Sequence, residues 1–213
     1  MGECCDRDEY DSVFGDRFVK KVARRYRRRG LTKTANLMVE YLCSKGIEGA
    51  SVLEIGGGMG EIQVELLRRG AARVTNLEIS KGYEAEAQRL LEKSGMEDRV
   101  TRRLLDIATE PYDVEPADIV VLHRVVCCYP DFEGLLSAAG SHARRLLVFS
   151  HPPRNVLMLA DFGFENLMRW AKRDSFRTFV HPPESMVEVL RRTGLRTRYR
   201  HRGLAWSVVG LER

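Results

Sequence analysis

The sequence predicts an α/β fold with a doubly wound sheet of seven strands, mostly parallel with an antiparallel C-terminal strand, and an N-terminal helical cap. Short apolar runs alternate with helical patterns through residue 150, which is typical of parallel sheets with right-handed crossovers. A turn with four glycines at 56–60 joins the first run to its helix. Later runs end in Glu, Asp or His, as expected at the carboxyl edge of such a sheet.

The chain of 213 residues is predicted to form one domain, with the helical cap at 1–46 and the core at 47–213, including a helical insertion near 155–172. It contains no apolar run of roughly eighteen residues, so we expect no membrane span. Its five cysteines are odd in number and include two adjacent pairs, Cys4-Cys5 and Cys127-Cys128. This pattern disfavours a disulfide framework and indicates a cytoplasmic location.

The net charge of +5 is concentrated in two basic stretches, 20–29 and 191–202. Such stretches contact nucleic acid or acidic lipid, or simply face water. Because no aromatic-interleaved motif accompanies them, a nucleic-acid partner is disfavoured, whereas a peripheral membrane contact stays open. We expect a small-molecule acceptor as partner, and a monomer or homodimer.

The N-terminal part predicts two helices. Residues 1–16 are expected to be loosely ordered. Apolar residues at four-residue spacing (Phe18, Val22 and Tyr26) predict an amphipathic helix over 17–29 that ends at Gly30. Thr32 is a suitable N-cap for a second helix, which extends to Gly46.

The glycine turn follows a strand at 51–55 and precedes a helical pattern, so its backbone can adopt positive φ beneath a ligand at the helix N-terminus. This arrangement predicts a nucleotide-like ligand. A dinucleotide fingerprint would use Gly56 and Gly58 but would need a third glycine where Glu61 stands, which disfavours NAD and FAD. Glu54 fits a cationic ligand better. Glu78, at the end of the second strand, is placed to accept both hydroxyls of a ribose.

After this turn the patterns predict strands at 72–79, 99–105, 117–122, 146–150, 195–201 and 204–211. Helices are predicted at 83–93, 132–143, 155–173 and 183–192. The stretch 155–173 is unusually apolar and aromatic. We expect it to wall a hydrophobic substrate pocket, with a membrane-surface helix or a dimer face as alternatives.

The segment Glu54-x-Gly-x-Gly-x-Gly, followed by the strand-ending Glu78, resembles the class I S-adenosylmethionine (SAM) methyltransferases. The resemblance covers about residues 35–212 and implies a Rossmann-like fold with SAM as cofactor and S-adenosylhomocysteine as product. In that superfamily the acid after the third strand accepts from the adenine amino group, and the next apolar side chain lies on the ring. The implied cofactor-binding residues are Glu54, Gly56, Gly57, Gly58, Gly60, Glu78, Ile79, Ser80, Asp106, Ile107 and His123.

A weaker similarity is to the magnesium-protoporphyrin IX O-methyltransferases. The loop after the fourth strand keeps Tyr129-Pro130, but Cys128 stands where that family has a histidine. The resemblance to methyltransferase folds in general implies that the leading helices cover the cofactor and substrate cleft, with Tyr10, Phe14 and Tyr26 as lid candidates. Core packing is the alternative for Phe14 and Tyr26. No Asn-Pro-Pro-Tyr follows the fourth strand, which disfavours amino-group methylation of DNA or protein.

The candidate catalytic residues are His123, Tyr129 and His151, because methyl transfer sometimes needs a base for the acceptor and histidine titrates near neutral pH. His123 directly follows the fourth strand. His151, like His181, precedes Pro-Pro and has the alternative role of shaping a loop. No metal site is predicted. The thiolates of Cys127 and Cys128 could in principle bind a soft metal, but we favour the alternative that they are small buried residues at the start of a helix.

We therefore expect a SAM-dependent methyltransferase that methylates a small apolar or aromatic molecule, most simply at oxygen. A SAM-binding regulatory module without methyl transfer is the alternative. An NAD-dependent oxidoreductase is disfavoured by Glu61.

Overall fold

A computed structural model describes residues 7–213 of the chain. Its seven strands form one sheet in the order β3-β2-β1-β4-β5-β7-β6, and β7 is antiparallel to both of its neighbours. This confirms the predicted fold class. The strands are β1 (Ser51–Ile55), β2 (Arg73–Glu78), β3 (Val100–Leu104), β4 (Ala117–Leu122), β5 (Ala143–His151), β6 (Arg196–His201) and β7 (Ser207–Glu212).

Helices cover both faces of the sheet. They are α1 (Arg7–Val13), α2 (Asp16–Arg29), α3 (Lys33–Ser44), α4 (Glu61–Arg68), α5 (Glu84–Ser94), α6 (Phe132–His142), α7 (Val156–Ala171) and α8 (Pro183–Arg192). Three of them begin at residues whose side chain accepts a backbone N–H of the first turn, which satisfies an otherwise unpaired donor. These N-caps are Thr32, Asp131 and Asn155.

Two apolar clusters lie on the two faces of the sheet. One joins Leu53, Leu122 and Phe149 to α6 and α8, and the other joins Val148 and Val121 to α3 and α4. Strand order reverses between β1 and β4, so the connections that leave these two strands diverge at their carboxyl ends. This is where open α/β sheets bind ligands.

The structure differs from the predictions at the N-terminus. The expectation of loose order is wrong for 7–13, which form α1, because tertiary contacts hold a segment whose sequence has no helical periodicity of its own. The Asp11 carboxylate accepts hydrogen bonds from Ser80 Oγ and the Lys81 N–H, both at 2.8 Å. Cys4 and Cys5 lie outside the described residues.

The strand and helix bounds differ from prediction by a few residues. β5 begins at Ala143 rather than 146, and β7 begins at Ser207 rather than 204. The helix α3, predicted as part of the cap, packs against β5 and β7 of the sheet. No helix within 7–213 is long and apolar enough to cross a membrane.

Candidate functional site

The glycine turn at the carboxyl end of β1 adopts a backbone that favours glycine. Gly56, Gly58 and Gly60 have φ values of 60°, 55° and 89°. A side chain at Gly57 would overlap Asn76 and Glu54, and one at Gly56 would meet Val125 at 2.5 Å. The turn therefore leaves the backbone bare where a ligand can approach it closely.

Glu78 connects this turn to the end of β2. One carboxylate oxygen accepts the Gly58 N–H at 2.8 Å, and the other accepts the N–H groups of Ile79 and Ser80 at 2.8 and 3.1 Å. Burial raises the pKa of Glu78, and these backbone donors oppose the rise. Each carboxylate oxygen can accept two hydrogen bonds, so the oxygen on Gly58 retains capacity for one more.

Glu54 is buried at the end of β1, beneath the turn. Its Oε2 has no hydrogen-bond partner among the described residues. Burial, followed by the charge of Glu61, raises the pKa of Glu54 to about 8. A buried carboxylate oxygen without a donor is unfavourable unless a cation or donor approaches it. The site is thus suited to a ligand with a positively charged group.

Asp106 and Tyr129 form a hydrogen-bonded pair behind β3. The Tyr129 hydroxyl donates to one carboxylate oxygen of Asp106 at 2.8 Å, and the Ala108 N–H donates to the other at 3.0 Å. Both side chains are buried. The phenol of Tyr129 is therefore bonded to a carboxylate, which is a positioning contact and not the arrangement expected for a base acting on an acceptor.

Ile107 does not offer the exposed apolar surface that the sequence analysis expected beneath a ring. Its side chain is fully buried in the cluster on the α6 and α8 face. The neighbouring Ala108 is partly exposed. The reason is the local chain direction after β3, which turns the Ile107 side chain into the core.

His123 and Ser150 meet where β4 and β5 end. His123 Nδ1 lies 3.0 Å from Ser150 Oγ, which also accepts the Arg124 N–H at 3.0 Å. After accepting the Arg124 N–H, the Ser150 hydroxyl keeps its hydrogen and a second lone pair, so its contact with His123 Nδ1 is compatible with both neutral tautomers of the imidazole. Burial, reinforced by Arg124 and Arg25, lowers the pKa of His123 to about 3. The imidazole is therefore neutral.

His151 is not brought together with His123. Its ring lies 5.7 Å from that of Phe149 in a tilted arrangement, and Phe149 belongs to the apolar cluster on the α6 and α8 face. Its Nδ1 lies 2.9 Å from the Pro152 carbonyl oxygen. The alternation of side chains along β5 places Ser150 and His151 on opposite faces. His181 also contacts a backbone carbonyl, that of Tyr129, at 3.0 Å.

An aromatic cluster covers this edge of the sheet. The Tyr10 hydroxyl donates to the Cys128 carbonyl at 2.7 Å, and the Tyr10 ring packs edge-on against Phe176 at 5.4 Å. Phe14 lies 5.7 Å from Tyr83 and 5.9 Å from Phe176 between ring centres. The cluster thus spans α1, the turn after β2 and the segment after α7.

Tyr26 is not part of this cover. It is buried on α2 with its hydroxyl 3.4 Å from Glu65 of α4. Tyr26 therefore packs in the core, which is the alternative to a role in covering the cleft. The resemblance offers both Tyr10 and Tyr26 as candidates, but only the path of the chain before α2 decides which one reaches the edge.

Cys127 and Cys128 lie in a short 3₁₀ turn below the cluster, with their sulfur atoms 3.6 Å apart. Cys127 is buried and Cys128 is partly exposed. Within 7–213, no group of three or more His, Cys, Asp or Glu side chains is placed to hold a metal ion.

The sequence analysis missed two contributors to the site. Arg102 of β3 donates to the Gly58 carbonyl at 2.9 Å and to Glu84 at 2.7 Å. Ser150 holds His123 as described above. Arg102 carries no motif, and its pairing with Gly58 depends on strand order, so neither contact has a signal in the sequence.

Comparison with known proteins gives a family match for part of the chain. Residues 52–147 match the family described as a methyltransferase domain. This range begins in β1 and ends in β5, so it includes the glycine turn, Glu78, Asp106 and His123. No curated protein sequence gives a match.

Two solved structures show the same fold. The magnesium protoporphyrin IX methyltransferase of Synechocystis PCC 6803, with bound SAH, is 21% identical, with a TM-score of 0.69 over 97% of this chain and 93% of that one. An O-methyltransferase family protein of Burkholderia thailandensis is 16% identical, with a TM-score of 0.73 over 95% of this chain and 62% of that one.

The turn geometry yields a stability prediction. Gly57→Ala should lower the free energy of unfolding by about 1–3 kcal/mol, because the added methyl group overlaps Asn76 and Glu54. Gly163→Ala is the matched control, since a Cβ at this helical position meets nothing within 4 Å and should be neutral or stabilising by up to about 1 kcal/mol. Urea unfolding measures both. Equal stability of the two variants would contradict the close approach at Gly57.

Glu54 yields a pH prediction. Its pKa is about 8 in the folded state against 4.5 when exposed, so the folded state binds more protons and wild-type stability falls as pH rises through this interval. Glu54→Gln should remove this part of the decline and should be more stable than wild type above about pH 8. Thermal unfolding across the interval measures it, with the exposed Glu133→Gln as control. Parallel pH curves for wild type and Glu54→Gln would refute the raised pKa.

Proposed function

We propose that the chain is a class I, SAM-dependent methyltransferase and that it transfers the methyl group to an oxygen atom of a small apolar or aromatic molecule. The observation that carries this proposal is the aromatic cluster of Tyr10, Phe14 and Phe176 over the edge where His123 lies. Such a cover excludes water and suits an acceptor with an apolar or aromatic body.

The residues around the glycine turn fit the cofactor. SAM is cationic at its sulfonium and amino groups, and it supplies an electrophilic methyl group when bound. The unpartnered Oε2 of Glu54 would receive a positive charge, and the bare backbone of Gly56, Gly57, Gly58 and Gly60 would allow close approach.

The remaining cofactor contacts are assigned by position. The free acceptor capacity of Glu78 would serve the ribose hydroxyls, with the adjoining Ile79 and Ser80 shaping the strand end. Tyr129 would hold Asp106 in place for the adenine amino group. Ala108, which is partly exposed, is a better candidate than Ile107 for contact with the ring.

His123 would orient the acceptor. With its pKa near 3 it is a weak base, but in the tautomer in which Ser150 donates to Nδ1 the imidazole hydrogen is on Nε2, from where it can donate to an acceptor oxygen. We assign no catalytic role to His151, whose contacts lie on the other face of the sheet. The acceptor must therefore lose its proton readily, which favours phenols and carboxylic acids.

The name of one structural neighbour supports methylation at oxygen, since that protein belongs to an O-methyltransferase family. The alternative is a regulatory module that binds SAM without transferring methyl groups. A cytoplasmic location is part of our proposal and is supported by the unpaired thiols Cys43, Cys127 and Cys128. A monomer or homodimer remains our proposal for the assembly.

Cofactor binding is tested by calorimetric titration with SAM and S-adenosylhomocysteine, with NAD as control. We expect both sulfur compounds to bind and NAD to show no heat. Glu78→Ala should weaken SAM binding more than tenfold, because a charged acceptor is worth about 1.5–3 kcal/mol. The matched control Glu133→Ala removes an exposed carboxylate on α6 and should leave the affinity for SAM unchanged. Thermal unfolding of each variant separates ligand loss from misfolding, and unchanged affinity in folded Glu78→Ala would exclude the ribose contact.

Acceptor positioning is tested by His123→Ala with a panel of phenols and aromatic carboxylic acids and radiolabelled SAM. Turnover should fall about tenfold or more while SAM affinity stays constant. Ser150→Ala should reproduce part of the loss by releasing the imidazole. The wild-type rate should show no ionisation near pH 6.5 from this histidine, since its pKa is about 3. A titration near pH 6.5 that His123→Ala abolishes would contradict the proposed neutral role. Transfer to none of the acceptors despite SAM binding would favour the regulatory alternative.

A further inference from the structure

The side of α7 that faces the protein carries hydrogen-bonded polar residues next to the partly buried Met158 and Phe162. Asn166 is hydrogen-bonded in both directions to Thr178, accepting its N–H at 2.9 Å and donating to its carbonyl at 2.8 Å. Arg169 is paired with Glu165 and Asp174, each at 2.8 Å. These contacts fix the orientation of the helix. Most of the apolar side chains of α7 therefore do not line a pocket, in contrast to the prediction from the sequence.

The apolar side of α7 faces outward. Seven large apolar side chains of this helix expose between 42% and 80% of their surface. They are Val156, Leu157, Leu159, Phe164, Leu167, Met168 and Trp170. At about 100° per residue, Val156, Phe164 and Leu167 lie opposite the bonded side, and the exposed Asp161 lies at the border of that face. Such a contiguous exposed surface is the mark of an interaction site.

Another exposed apolar side chain, that of Leu204, lies at the same edge of the sheet. Leu204, in the loop between β6 and β7, is 97% exposed and follows the exposed Arg202 closely. Ser207, at the end of this loop, pairs with His151, the last residue of β5 before the chain leads to α7. The loop and the start of α7 therefore border the same edge.

Cations lie at both ends of the apolar face. Arg154 precedes α7, and Lys172 and Arg173 follow it. All three are exposed, and within 7–213 none of them makes an ion pair. An apolar helix face between exposed cations is complementary to a surface with an apolar interior and anionic headgroups.

We propose that the outer face of α7, together with Leu204, docks this enzyme onto an anionic lipid bilayer. A helix of 16 residues is about 24 Å long and can lie flat at the headgroup boundary. Trp170 sits near one end, where an amphipathic ring suits the interface. The cations then meet the lipid phosphates.

A second copy of the chain is a poorer occupant of this face. If two copies packed their α7 helices antiparallel about a two-fold axis, Arg154 of one would approach Lys172 and Arg173 of the other. Like charges would then meet at both ends of the contact. The bilayer offers the opposite charge at the same places.

The docking surface also bears on substrate choice, and this step rests on the proposed function. The edge that carries His123 and Cys128 also carries the start of α7. A docked enzyme would therefore present its acceptor side towards the bilayer. The acceptor class that fits is a membrane-dissolved amphiphile with a phenol or carboxyl group at the headgroup level.

Vesicle sedimentation of the full chain without SAM tests the surface. We expect at least tenfold stronger partitioning to vesicles of phosphatidylcholine with phosphatidylglycerol than to phosphatidylcholine alone, and weaker partitioning at high salt. Phe164→Glu with Leu167→Glu should reduce binding at least tenfold, as should Arg154→Glu with Lys172→Glu. Tyr112→Glu is the matched control, since Tyr112 is a fully exposed aromatic residue on the connection between β3 and β4 and is not part of the proposed docking surface.

The outcomes separate the two proposals. Wild-type vesicle binding equal to that of the Phe164 and Leu167 double variant would overturn the docking surface. An absence of vesicle binding by the wild-type protein would overturn it as well. If the wild-type protein is a dimer and this double variant is a monomer, the true occupant of the face is a second copy of the chain. SAM titration of every variant reports on the cofactor site alone. Vesicle binding without SAM binding would refute the proposed function and leave the surface intact.

Discussion

The carboxylate of Glu78 is the constraint on which the site depends, because it ties the glycine turn after β1 to the end of β2. Three backbone N–H groups converge on it, from Gly58, Ile79 and Ser80. Arg102 holds the same turn from β3 by its bond to the Gly58 carbonyl. Three adjacent strands thereby fix one turn, whose glycines adopt positive φ without steric strain.

The same constraint organises the neighbouring groups. The turn passes above Glu54, whose buried Oε2 is left without a donor, and the strand end after Glu78 leads to Ser80, which binds Asp11 of α1. Through this link the aromatic cluster over the edge is attached to the end of β2, next to Glu78.

The acceptor side has a different physical basis. His123 is held by Ser150 across two strand ends, and burial keeps it neutral. The outer face of α7 is exposed because the bonds of Asn166 and Arg169 direct its polar side inward. Seven large apolar side chains therefore lie on the exposed side of this helix, which is the surface that we propose to dock onto a bilayer.

The sequence by itself determined the alternation of strands and helices, the glycine turn, and the acids Glu54 and Glu78, because these depend on local periodicity and on spacing within one strand-turn-helix unit. Only the tertiary structure decided that Tyr10 and not Tyr26 covers the edge, that Arg102 meets Gly58, and that Ser150 holds His123. It also decided that Ile107 and His151 turn away from the edge. The physical reason is that each of these contacts joins residues far apart in the chain, whose meeting depends on strand order, side-chain alternation and helix orientation and not on any local pattern.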